Sequence, residues 1–85
     1  MKSNVAVRVA ENVRSELGRR NLAKTTLVPV LGVSYTAVQR RLTGELPMDI
    51  VELDALAAFF SVPLTTLLAG VPTLDALADD REVAS

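Results

Sequence analysis

A chain of 85 residues encloses a single apolar core, which excludes a second independent domain within it. At 49% hydrophobic and 22% charged residues the composition excludes a disordered polymer, and the lack of Cys and His removes disulfides, thiol nucleophiles, the usual neutral-pH base and nearly all zinc sites. A net charge of −1 excludes a uniformly basic nucleic-acid binder, so any such role must rest on how the charges are distributed.

Val5, Val9, Val13 and Leu17 recur every four residues with Ala6 and Ala10 beside them, which predicts an amphipathic helix of about four turns. Ser3 or Asn4 is its expected cap, and Gly18 with Arg19, Arg20 and Asn21 its expected end. Leu22, Leu27, Val28 and Leu31 predict a short second helix closed by Gly32. Pro29 is comfortable only near a helix start, so this helix is expected to begin late, near Thr25 or Thr26, or to kink.

A third helix is predicted from Ser34 to Leu42, with Ser34 as N-cap, Val33 and Val38 as a hydrophobic staple, and Thr43–Gly44 as its stop. Asp49 and Glu52 form a capping-box pattern flanked by Met48 and Leu53. They open a fourth helix with Ile50, Leu53, Leu56, Ala57 and Phe60 as its expected inner face. Ser61–Val62–Pro63 turns the chain into a last short helix through Leu64, Leu67 and Leu68, ended by Gly70. Val71–Pro72 reads as a hinge before a marginal two-turn helix capped by Thr73, with Leu74 and Leu77 as its apolar residues. The fold class expected is all-α, a bundle of about five short helices.

The charges divide along the same lines. Residues 1–70 carry eight Lys or Arg against six Asp or Glu, a balance of +2; residues 71–85 carry Arg81 against Asp75, Asp79, Asp80 and Glu82, a balance of −3. The expected organisation is a helical binding domain over 1–70 followed by an acidic tail over 71–85, itself a short helix or a dimerisation segment. Aliphatic residues exceed what so small a core can hide, and the surplus predicts a homodimer. Phe59 and Phe60 point about 100° apart on a helix, so with Phe60 inward, Phe59 falls at that interface or beneath the tail.

From Leu27 to Val38 the spacing of Val28, Gly32 and Val38 is that of a helix-turn-helix. With the flanking helices this region, about residues 5–70, resembles the repressor and Cro proteins of temperate phages and the broad XRE family of bacterial regulators. Leu22, Leu27, Leu31, Val33, Ser34, Gly44, Ile50, Leu53 and Ser61 to Leu68 also fall in register. The resemblance implies a lambda-repressor-like bundle with helix 34–42 in the major groove of double-stranded DNA. Ser34, Tyr35, Thr36, Gln39, Arg40 and Arg41 then form the reading face. Gln39 suits adenine, Arg40 guanine or phosphate, Thr36 a base edge or thymine methyl, and Tyr35 a phosphate or base. Lys24 and Thr43 match family positions that touch the phosphate backbone. Val28, Pro29 and Arg41 depart from the family pattern, and Arg41 is expected to extend outward to phosphate.

The remaining features have plainer readings. Arg19 and Arg20 either serve the helix dipole or reach phosphate. Asp49 and Glu52 are explained by capping and the other carboxylates by solvated faces, so no enzyme, cofactor, metal or small-molecule ligand is expected. No apolar run approaches the roughly twenty residues of a membrane span, and the first residues do not resemble a signal peptide, so a cytoplasmic location in a bacterial or phage-infected cell is expected. The function expected is a dimeric transcriptional regulator that occludes a promoter. The alternative is a protein-interaction adaptor or antitoxin-type module built on the same fold.

Overall fold

The computed structural model describes residues 4–71. Their order is α1 (Asn4–Arg19), a single 3-10 turn (Lys24–Thr26), α2 (Leu27–Leu31), α3 (Tyr35–Leu42), α4 (Ile50–Phe60) and α5 (Leu64–Leu67). All regular structure among the described residues is helical, and no described helix is long and apolar enough to cross a membrane. The helix expected from Thr73 and the remainder of the acidic tail lie outside the described residues, as does the Ser3 cap.

One core joins all five helices. Val9, Val13 and Leu17 of α1 meet Leu27 of α2, Val38 and Leu42 of α3, Leu53, Leu56, Ala57 and Phe60 of α4, and Leu67 of α5. These side chains are almost wholly aliphatic, and the burial of Leu27, Leu42, Leu56 and Leu67 to below 2% exposure stabilises the fold by about 2 kcal/mol for each leucine. Val71 also enters the core at 3% exposure. Gly70 adopts φ +74 and sends the chain back, and the Val71 amide donates to Leu68 O.

Helix ends fall close to where the sequence places them with one exception, though α2 and α5 start without a side-chain cap and Ser61 ends α4 at φ +58. Asp49 and Glu52 close the expected capping box: Asp49 Oδ1 accepts from the Glu52 amide at 2.7 Å, and Glu52 Oε1 from the Asp49 amide at 3.1 Å. The exception is the end of α1, which runs through Gly18 to Arg19. Asn21, at φ +54, takes the left-handed conformation expected of Gly18. The Leu22 amide reaches back to Leu17 O and the Asn21 amide to Gly18 O, the pair of bonds that defines a Schellman end. Asn accepts this geometry because its short polar side chain tolerates positive φ better than most residues.

Ile50 departs from its expected place. It is 61% exposed while Leu53, Leu56, Ala57 and Phe60 are buried, because the first turn of α4 projects beyond the core it covers.

Polar clamps fix the helices relative to one another. Glu16, 3% exposed, is held by both Arg19 and Arg20, and Arg20 also donates to Phe60 O at 2.7 Å with its guanidinium 4.9 Å from the Phe60 ring centroid. Arg20 thereby joins the C-terminal ends of α1 and α4, a role that neither the helix-dipole nor the phosphate reading named, while the Arg19 side chain is 67% exposed. Asn12 Nδ2 donates to Leu67 O and Ala69 O, holding the end of α5 against α1.

Candidate nucleic-acid interface

The helix-turn-helix is built by three local features. Pro29 is the third residue of α2, inside its first turn, where a missing amide hydrogen costs nothing, and the preceding 3-10 turn accounts for the late start. Gly32 caps α2 at φ +67, ψ +31, and its amide donates to Val28 O at 2.9 Å. Ser34 Oγ then accepts from the Ala37 amide at 3.2 Å and starts α3.

Val38 and Leu42 anchor α3 from beneath, which leaves Thr36, Gln39, Arg40 and Thr43 exposed at spacings of three and four on its opposite side. The 3-10 turn brings Lys24 beside them. Together with Glu45 these residues line a shallow open concavity, so five side chains expected at the interface share one surface. Lys24 makes no ion pair among the described residues, while Arg40 Nε lies 3.4 Å from Glu45 Oε2, both side chains being about half exposed. An exposed pair of this kind is worth at most about 1 kcal/mol, so a phosphate or guanine can displace the carboxylate from Arg40.

Three expected residues stand outside that concavity. Ser34 spends its hydroxyl oxygen on the helix cap. Tyr35 is exposed at the start of α3 but does not line the depression. Arg41 is turned the other way: its Nε donates to Glu52 Oε2 at 3.0 Å and its Nη1 to Ala37 O, and its side chain is 17% exposed. The outward extension to phosphate expected of Arg41 is not what the structure shows, because Glu52 offers a largely buried carboxylate and Ala37 a carbonyl that together take up the guanidinium. Thr43 lines the depression, and its hydroxyl donates to Arg40 O, which leaves only oxygen lone pairs free in this rotamer.

Two participants escaped the sequence reading. Glu45, just after the Thr43–Gly44 stop, places a negative charge in the depression. Arg14, off the apolar face of α1, donates from Nη1 to Leu42 O, one of the carbonyls left unpaired at the end of α3. Gly44 completes that junction. At φ +85 it lies so close to α1 that a Cβ there would sit 2.9 Å from Val7 Cα, so the end of the exposed helix is set directly against the α1 backbone.

No curated protein and no solved structure matches the chain. A family model does: the BetR domain, over residues 2–81, a span that runs past residue 70 into the segment the sequence reading set apart as tail. With a match over nearly its whole length, and a helical bundle presenting a helix-turn-helix, this chain belongs to the BetR-domain family.

Proposed function

We propose that the chain is a sequence-specific DNA-binding transcriptional regulator of the Cro or repressor kind, acting as a pair of copies that occlude a promoter rather than as an enzyme. The observation that carries this reading is the shared surface of Lys24, Thr36, Gln39, Arg40 and Thr43. Thr36 and Gln39 supply base-edge chemistry on the exposed side of α3, and Lys24 and Arg40 supply the cations for the backbone or guanine. Tyr35 extends this surface at the N-terminal end of α3. The site is cytoplasmic in this reading, where DNA is accessible.

The test is selection from a random double-stranded DNA pool, run on the parent and on a Thr36→Ala, Gln39→Ala variant whose changes are confined to the surface. An enriched motif lost in the variant supports the reading; a folded parent that enriches nothing rejects it. Two phosphate-facing cations on each of two copies give a modest salt dependence, a log–log slope of about −4.

The second reading, a protein-interaction adaptor or antitoxin-type module, draws support from the near-neutral charge of the described residues. They hold seven Lys or Arg (Arg8, Arg14, Arg19, Arg20, Lys24, Arg40, Arg41) against six Asp or Glu (Glu11, Glu16, Glu45, Asp49, Glu52, Asp54), a balance of +1.

A further inference from the structure

The outer side of α4 is apolar, with Val51, Ala58 and Phe59 exposed and Ala55 partly buried between them. Leu53, Leu56, Ala57 and Phe60 enter the core, and at 100° per residue the side directed away from them carries Val51, Ala55 and Ala58, with Phe59 on its flank. Val51 is 73% exposed and Phe59 39%. A solvated helix face is normally polar. On α4 the two charged residues are Glu52, occupied by Arg41, and Asp54, so an uncharged stripe runs the length of the helix.

We propose that this stripe is where two copies of the chain pair, with their α4 helices antiparallel about a twofold axis at Ala55. In that arrangement Val51 lies against the partner's Phe59, and Phe59 against the partner's Val51. Ala55 meets the partner's Ala55, where two small side chains let the helices approach closely. The order large, small, large reads the same from either copy, which is what an isologous contact requires. Antiparallel helices also set their dipoles in opposition.

The chain's own tail is the competing occupant, and its charge disfavours it. Residues 71–85 hold four carboxylates against one Arg, and α4 carries no cation to receive them while its Asp54 is exposed.

The stripe spans a helix about 16 Å long and offers less than the roughly 800 Å² per partner of a standard interface, so the pairing is weak, micromolar or above. It supplies the site for the pairing invoked in the proposed function. Its test needs no DNA, so either idea can fail alone.

Sedimentation of the full chain over a wide concentration range is expected to show reversible monomer–dimer exchange. Val51→Glu, at a position with no role in the core, is expected to weaken association about tenfold or more with an unchanged helical spectrum and Tm. Because the chain has no Cys, Ala55→Cys introduces a lone thiol, and this variant is expected to oxidise to a covalent dimer much faster than Ala23→Cys, an exposed position outside the stripe. A strict monomer at millimolar concentration overturns the proposal. So does a dimer indifferent to Val51→Glu, equal oxidation of the two cysteine variants, or a monomer in which NMR contacts join Val51 and Phe59 to Leu74 or Leu77.

Discussion

Arg41 and Glu52 tie the exposed helix of the helix-turn-helix to its neighbour: Arg41 Nε on α3 donates to Glu52 Oε2 on α4 at 3.0 Å, with both side chains largely buried. The other oxygen of Glu52 closes the capping box of α4. One carboxylate therefore starts one helix and orients another, and the charge of Arg41 is consumed inside the fold.

Replacing Glu52 by Ala is expected to destabilise the protein by about 2–3 kcal/mol, since it removes half of a capping box and leaves the Arg41 guanidinium unpaired. Arg41→Ala is expected to cost about 1–2 kcal/mol, and the double variant less than the sum, with a coupling of about 1 kcal/mol. Urea denaturation of the four proteins checks this; additive losses would mean that the two residues act separately.

Gly44 and Gly32 both have positive φ, but their surroundings differ, and so do the predicted costs. Gly32→Ala meets open space, so only the left-handed backbone is penalised, by about 1 kcal/mol. Gly44→Ala adds a clash with Val7 backbone and side-chain atoms at 2.8–3.2 Å, and is expected to cost about 3 kcal/mol or more. Midpoints of thermal unfolding should rank parent, Gly32→Ala, Gly44→Ala.

Arg20→Lys is expected to destabilise by about 1–2 kcal/mol although charge is kept. An ammonium cannot reach Glu16 and Phe60 O together while lying over the Phe60 ring as the planar guanidinium does. Arg19→Lys, at a side chain 67% exposed, is expected to change stability by less than about 0.5 kcal/mol. Comparable losses in the two variants, measured by denaturant titration, would contradict the clamp.

In the DNA-binding reading, Glu45→Gln removes the carboxylate that both occupies Arg40 and repels phosphate, and affinity for the selected site is expected to rise several-fold at low salt. Lys24→Ala is expected to weaken binding by a similar factor on every sequence and to reduce the salt slope by about 1. Gln39→Ala is expected to lose about 1–3 kcal/mol on the selected site and to relax preference at one base pair, with stability unchanged. Fluorescence anisotropy at several salt concentrations separates the three.

Helix starts and the turn were legible in the amino-acid sequence because their determinants are neighbours along the chain. Ser34 caps three residues ahead, Asp49 and Glu52 cap each other across one turn, and Gly32 alone supplies positive φ between α2 and α3. The alternation of buried Val38 and Leu42 with exposed Thr36, Gln39 and Arg40 follows from helical periodicity, whereas their reading as an interface follows from the resemblance to the phage repressors. Lys24 joined that surface because the 3-10 turn carries it there.

Tertiary packing alone decided the rest, because the relevant partners are remote in sequence. Arg20 finds Phe60 O forty residues away, Arg14 finds Leu42 O twenty-eight away, and Arg41 finds Glu52 eleven away; periodicity gives a side chain's direction but not what waits there. Asn21 rather than Gly18 ends α1 because the loop must return Leu22 to the core, a demand that outweighs glycine's intrinsic freedom. Ile50 is exposed and Val71 buried because the edge of a core is set by where the other helices stop. The sequence by itself thus determined the helices of the described residues and most of the side that each turns to the core. The tertiary structure decided which charges remain free to meet a partner, since a cation's availability depends on whether the fold brings a carboxylate or carbonyl within reach.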